Sequence, residues 1–458
     1  MHFQKLSISD PKDLIFGHAP HPVTTRRGLV LGAGRVYPEL NFTLPPMEVS
    51  EATLSEVKSH YQQIVTEALR RALELHAPGL VFEFETLLEM TMTPRIGVEL
   101  VELMNGLCED AFQKHGLRTE IRLTPNDTRD FDRPPRMRTS RHLDSMFELF
   151  ERGAQAGGDL LSIESTGGKE VHDDALLMCD VKGVTFALAV LGVRDMRFLW
   201  KRIVEIAKST KRIAGGDTAC GFGNTAMVLA EKGFIPKIFA ALVRVISVVR
   251  TLVAVEEGAM GPDKDCGYEG PYLKAIAGIP ISMEGKTAAC AHSSPVGNVA
   301  AACADLWSNE SVQNVKLLGG FAPTVYFEQL EYDARFMNRA LHDGLGTARK
   351  VQELLVESDS HLDPQAFVIA PRNVIDIAGE MVKARTHLEA ARRGALRALD
   401  LIEAAVKEGS LLSNEQEREW IPRLRDELQE IPDEESAFVE MMLPVVDQAK
   451  MIPAEYGL

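Results

Sequence analysis

Residues 80–124 read LVFEFETLLEMTMTPRIGVELVELMNGLCEDAFQKHGLRTEIRLT. The opening run, 80–85, is short, β-prone and rich in large apolar residues. From 96 to 115 the apolar residues recur every three or four positions, which is the period of an amphipathic helix. At 118–124 a second β-like run follows. A strand, a crossover helix and another strand make a parallel unit, because parallel neighbours need a long connection. The alternation continues, with strands predicted at 159–164, 213–217, 259–263, 279–283 and 315–318 and helices at 145–155, 198–208, 236–255 and 296–307. Seven strands can be placed in this way and no eighth. The pattern predicts an α/β fold, either a barrel or a doubly wound sheet.

Outward from this core, residues 1–77 are an N-terminal extension of irregular, Pro-rich sequence followed by a helix over 49–76. Residues 78–333 form the core, and 334–458 read as helix after helix. The 458 residues exceed a typical (β/α)₈ barrel of ~250 residues by enough to carry both extensions. With 45% hydrophobic and 25% charged residues the composition is that of a globular protein, and the net charge of −16 argues against a nucleic-acid partner. The N-terminus lacks the charged-then-apolar plan of a secretory signal. The apolar run 238–255 is broken by Arg244 and Arg250, so it is expected to be a buried helix rather than a membrane span. The expectation is a soluble, cytoplasmic protein with its six cysteines reduced. Gly32-Ala-Gly34 tempts a dinucleotide reading, but Tyr37 stands where the third glycine belongs and no helix pattern follows.

Three ligand-type residues fall at or just past predicted strand ends: Glu164, Cys220 and Cys266. In a barrel those ends converge on one rim, where residues distant in sequence can meet. Two thiolates and a carboxylate suit Zn²⁺ and leave a fourth position open, as in catalytic sites. Spacing alone leaves other readings standing. A lone buried cysteine is usually a small hydrophobe, and Cys290, His292 and Cys303 make a rival ligand set.

Four stretches add a resemblance: SIESTGGKE (162–170), GGDTACGFGNTAM (215–227), GAMGPDKDCGYEGPYLKAI (258–276) and NDTRDFDRPPRMR (126–138). They resemble the zinc-containing subunit of methanol:corrinoid methyltransferases, and the likeness runs over essentially the whole chain. It implies a TIM (β/α)₈ barrel with N- and C-terminal helical extensions, and zinc bound by Glu164, Cys220 and Cys266. It also implies methyl transfer from methanol to a Co(I) corrinoid on a partner protein, as in methanogenesis or anaerobic methylotrophy. The assembly it implies is a homodimer within a larger heteromeric complex. Other readings of the same chain are a zinc methyltransferase for another small methyl donor, or a non-catalytic subunit that docks a corrinoid protein.

Methanol is a poor methyl donor because its leaving group is hydroxide, and a Lewis-acidic metal stabilises the charge that develops as the C–O bond breaks. Two thiolates and a carboxylate make that metal less acidic, so a protonated acid nearby is expected to assist. Glu83, Glu85, Asp217, Asp263 and Asp265 are the candidates, each with the alternative role of hydrogen-bond or ion-pair partner. Arg133, Arg136 and Arg138, in a segment that also holds Arg129 and Arg141, are placed to grip a corrinoid tail or an acidic partner surface; a solvated loop is the alternative. Asp359-Ser-His361-Leu-Asp-Pro364 approaches the Asp-x-His-x-x-Gly pattern of corrinoid-binding domains but carries proline in place of glycine. The corrinoid is therefore expected on another subunit.

Overall fold

The computed structural model of the chain describes residues 1–312 and 316–458. After an antiparallel hairpin of β1 (His18–Thr24) and β2 (Val30–Ala33), seven strands form one parallel sheet. In chain order they are β3 (Tyr37–Asn41), β4 (Leu80–Glu85), β5 (Thr119–Thr124), β6 (Leu160–Ile163), β7 (Ile213–Asp217), β8 (Ser282–Glu284) and β9 (Leu306–Asn309). Across the sheet the order is β7-β6-β5-β4-β3-β9-β8, with helices in the crossovers.

The sheet curls, and its two edges approach each other across the extended segment 259–264. Met260 N donates to Ala214 O (2.8 Å) and Gly261 N to Gly215 O (2.9 Å), both on β7. On the other side Ser282 N, on β8, donates to Asp263 Oδ1 (2.9 Å). The predicted strand at 259–263 is thus an extended segment of that neighbourhood without ladder pairing of its own.

Alternation along each strand fixes what faces inward, because successive side chains point to opposite faces. Tyr37, Val81, Leu160 and Leu306 pack with Leu29 and Leu31 of the β1–β2 hairpin, while Leu40, Phe82, Phe84 and Leu161 join the large core shared with the helices. The hairpin therefore covers the sheet at the beginnings of the strands and leaves their C-terminal ends as the open rim. One level higher the inward residues are polar. Arg122, fully buried, donates to Glu39 (2.5 Å), Ser162 Oγ (2.8 Å) and Pro262 O (3.0 Å), and the Ser282 hydroxyl donates to the same Glu39. Buried charges persist only when paired and hydrogen-bonded in this way.

Three sequence expectations are corrected. A strand, β3, comes from the stretch read as irregular, where Pro38 and two polar residues hid it. Residues 306 and 307, read as the end of a helix over 296–307, open β9; the helix there is Gly297–Ala301. The predicted strand at 315–318 is not part of the sheet: residue 315 lies outside the described residues, and Lys316–Leu317 pairs with Gly320–Phe321 in a separate ribbon. The apolar run at 238–255 lies within the helix Lys237–Glu257, which is long and apolar enough to span a membrane yet has 94% of its apolar window buried inside the fold.

Candidate metal centre

Glu164 follows β6 directly, and as the next inward position after Ser162 it points over the rim. Cys220 opens the helix Cys220–Glu231, and Cys266 sits in the short 3₁₀ turn Asp265–Gly267. Their ligand atoms all lie within 4.8 Å of one another, and among the described residues no other such group of three forms. The rival set does not assemble. Cys290 is exposed, and Cys303 is buried with its thiol donating to Leu14 O (3.4 Å).

Two arginines hold the loops that carry this trio. Both lie on the buried helix Lys237–Glu257, where sequence reading treated them only as interruptions of an apolar run. Arg250 Nη1 donates to Thr218 O (3.0 Å) and Nη2 to Ser165 O (2.5 Å), tying the residue after Glu164 to the loop before Cys220. Arg244 Nη1 donates to Gly267 O (2.5 Å), beside Cys266.

The chemistry of the donors fits a divalent soft-to-borderline cation. The Cys266 Sγ donates to Glu164 Oε1 (2.9 Å), which brings two ligand atoms into direct contact. Burial, reinforced by Cys220 and Glu164, pushes the Cys266 thiol well above its ordinary range. The contact with Cys266 lowers the Cys220 thiol, but burial and the Glu164 and Glu284 carboxylates outweigh it and leave it raised. Burial also raises Glu164 against the pull of Lys264. Burial and mutual repulsion thus both disfavour the charged forms of these ligands, a cost that the charge of a bound Zn²⁺ ion would offset.

Lys264 was missed in the sequence, although it stands two residues before Cys266. Its side chain is fully buried among carboxylates: Nζ lies 2.9 Å from Glu164 Oε1, 2.9 Å from Asp265 Oδ1, 3.2 Å from Glu83 Oε1 and 3.3 Å from Glu85 Oε2. A single ammonium thus offsets part of a strongly acidic rim. Of the five expected acids, Glu83, Glu85 and Asp265 meet at this ammonium. Asp217 instead accepts hydrogen bonds from Trp200 Nε1 (2.8 Å) and Ser165 Oγ (2.9 Å) and faces Arg250, and Asp263 accepts from the Ser282 backbone. Those two brace the walls. A cavity of ≈ 440 Å³ opens at the rim, lined among others by Asn41, Asn126, Glu310 and Glu85, the last of which connects it to Lys264 rather than to the three ligand residues directly.

The segment after β5 divides into anchors and exposed charges. Arg129 is buried between Asp127 and Asp195, and Arg138 lies over the Phe198 ring while its backbone N–H donates to Glu455 (2.5 Å). Arg133, Arg136 and Arg141 are exposed, with Arg133 3.0 Å from Glu170.

A family model for the methanol-cobalamin methyltransferase B subunit, MtaB, matches residues 1–457. The chain belongs to that family. It is 34% identical over 463 residues to a methanol–corrinoid protein co-methyltransferase of Methanosarcina barkeri, with 99% of both chains covered. A chain in the crystal structure of the methanol:cobalamin methyltransferase complex MtaBC from Methanosarcina barkeri superposes with a TM-score of 0.94 at 33% identity, covering 100% of this chain and 99% of that one. Family membership places the methyltransferase B-subunit fold around the Glu164–Cys220–Cys266 cluster.

Proposed function

We propose that this protein transfers the methyl group of methanol to the Co(I) corrinoid of a partner protein, with Zn²⁺ held by Glu164, Cys220 and Cys266. The observation that carries the reading is the convergence of two thiols and a carboxyl from three separate loops at the rim of a sheet whose other end is covered. Its closed form is a (β/α)₈ barrel in which 259–264 occupies the eighth place. The core 78–333 borrows β3 from the extension 1–77, and the helical segment 334–458 packs outside. When bound, zinc supplies the Lewis acidity that methanol's poor leaving group requires.

The rest of the work falls to the chain. Arg244 and Arg250 hold the three loops in register, so the ligands need little rearrangement on binding. Lys264 keeps Glu83, Glu85, Glu164 and Asp265 together despite their repulsion. The rim cavity admits methanol, and its open side faces the partner. With the near-miss at Asp359–Pro364 carrying no glycine, the corrinoid comes from a second subunit, in keeping with the MtaBC complex of the relative. Exposed Arg133 and Arg136 are the contacts we assign to that subunit; Arg138 serves inside the fold. The test mixes purified protein, a Co(I) corrinoid carrier protein and methanol, and follows methyl-Co(III) by its absorption. Zinc-loaded protein that forms no methyl-Co(III) with such a carrier refutes the reading.

A further inference from the structure

Breaking the C–O bond of methanol leaves both bonding electrons on oxygen, while Co(I) supplies the pair for the new Co–C bond and becomes Co(III). The oxygen keeps its own hydrogen and must gain one proton to depart as water. The overall balance is methanol, Co(I) and H⁺ giving methyl-Co(III) and water. A donor for that proton is required near the trio, with a path for its replacement from solvent.

Glu284 is the last residue of β8, at the C-terminal end of its strand and so on the rim. It is 1% exposed, and its Oε2 has no hydrogen-bond partner among the described residues. The hydroxyl of Tyr268, two residues past Cys266, faces this carboxyl without an aligned hydrogen bond and is likewise unpartnered. Among the described residues Glu284 makes no hydrogen bond or ion pair with Glu164, Cys220 or Cys266, though its charge is felt at Cys220 and that of Glu164 is felt at Glu284. On the outer side His292 Nε2 stands 3.7 Å from Glu284 Oε2, and the imidazole is 27% exposed. Glu284 is thus flanked by two side chains, the part-exposed His292 and the buried Tyr268.

We propose that Glu284 is the acid that protonates the departing oxygen of methanol, and that His292 returns a proton to it from solvent. This inference rests on the methyl-transfer reading above. A buried carboxyl without a donor on Oε2 has no compensation for ionising and keeps its proton. The groups around it push the same way: burial first, then Asp265, Glu310 and Glu164 raise Glu284, with Lys264 alone opposing. Burial and Arg244 lower His292, so its ring is neutral near pH 7 and can accept a proton on one nitrogen while donating from the other. The separation of 3.7 Å exceeds a direct hydrogen bond and is spanned by one water or a small ring movement. The other carboxyls serve less well. Burial raises Glu83 too and its Oε2 is also unpartnered, but its Oε1 takes both Thr124 Oγ1 and the Lys264 ammonium, and Lys264 holds Asp265 below its ordinary range despite burial.

The experiment uses the full chain with its corrinoid carrier. Glu284→Gln, nearly isosteric, is expected to hold wild-type zinc and to lower kcat for methanol about a hundredfold or more, with KM little altered. His292→Gln is expected to lose activity more steeply as pH rises, and added imidazole should restore part of it. Independently of turnover, the infrared carbonyl band of a protonated carboxyl should be present in zinc-loaded wild type at neutral pH and absent in Glu284→Gln. If Glu284→Gln does not fold, the band, assigned by isotope-labelled glutamate, and the His292→Gln pH profile decide the matter. An active wild type beside an equally active, zinc-replete Glu284→Gln overturns the inference and leaves the methyl-transfer reading standing. The absence of a protonated Glu284 band overturns it as well. An inactive, zinc-loaded wild type overturns the methyl-transfer reading and this step together.

Discussion

Lys264 Nζ lies 2.9 Å from Glu164 Oε1, at the centre of four carboxylates and with no exposure to water. Among the described residues it is the only cation in contact with that cluster, so its loss strands several buried charges at once. Lys264→Gln should destabilise the protein by about 3–5 kcal/mol, the usual cost of removing one partner of a buried ion pair. Urea unfolding followed by circular dichroism reads this directly. A midpoint equal to wild type would mean that the carboxyls are already neutral and need no counter-ion.

The two cysteines of the trio should be separable from the other four by metal content alone. Cys220→Ser and Cys266→Ser should fall from about one zinc per chain towards none, since serine is a poor zinc ligand. Cys290→Ala and Cys303→Ala should retain it, because one is exposed and the other donates to Leu14 O. Atomic absorption on dialysed protein gives the answer, and zinc lost only from the second pair would relocate the site.

Much of the fold was legible in the sequence, and the misses have physical causes. Buried parallel strands such as Leu80–Glu85 read as apolar runs because helices cover one face and the sheet interior lies on the other. Tyr37–Asn41 escaped because, past Tyr37, its inward residues are Glu39, committed to Arg122 and Ser282, and Asn41, which donates to Glu85. The trio could be picked out from residue type and position at strand ends. Lys264 and Glu284 could not, since a lysine and a glutamate at those positions read as ordinary surface residues until tertiary packing buries them. Arg244 and Arg250 broke an apolar helix for a reason lying in other loops.

A pH effect on stability follows from Glu256. Burial alone would raise its carboxyl, but His387 Nε2 (2.9 Å) and the His2 backbone N–H (2.9 Å) hold it at about 2. A carboxyl depressed on folding contributes stability that is fully present above its unfolded value of ~4.3 and is lost as pH falls through the folded value. Glu256→Gln should therefore cost about 3 kcal/mol at neutral pH. The difference from wild type should shrink between pH ~4 and ~2. Unfolding curves of both proteins across that range test it; a pH-independent difference would show that only packing was lost.

Docking of the corrinoid subunit should depend on salt through Arg133 and Arg136, both exposed beside the rim. Exposed charges act over ~10 Å at 0.1 M salt and contribute at most ~1 kcal/mol each. The double substitution Arg133→Ala with Arg136→Ala should weaken association about five- to tenfold at low salt, flatten the salt dependence and leave zinc content alone. Titration calorimetry at two salt concentrations distinguishes this from docking on another surface, for which affinity and slope stay unaltered.

Arg250 joins the Glu164 loop to the Cys220 loop without touching either ligand. Its guanidinium reaches Ser165 O (2.5 Å), Thr218 O (3.0 Å) and Asp217 Oδ1 (3.4 Å), and it stacks 4.6 Å from the Phe222 ring. A lysine carries the same charge but is a single point donor and cannot bridge two carbonyls in fixed geometry. In Arg250→Lys the two loops should therefore move independently, and the Glu164 oxygen and Cys220 sulfur should lose their common focus. Support of this kind is worth 10–100-fold in metal affinity. Competition against a chromogenic chelator should show zinc held about that much more weakly in Arg250→Lys, with circular dichroism still native. The corresponding Arg244→Lys change, acting on Gly267 O beside Cys266, should weaken zinc through a different ligand, and the double variant should lose less than the sum if both act by holding one shared geometry. Wild-type zinc affinity in both single variants would reduce the two arginines to packing of the helix Lys237–Glu257 alone.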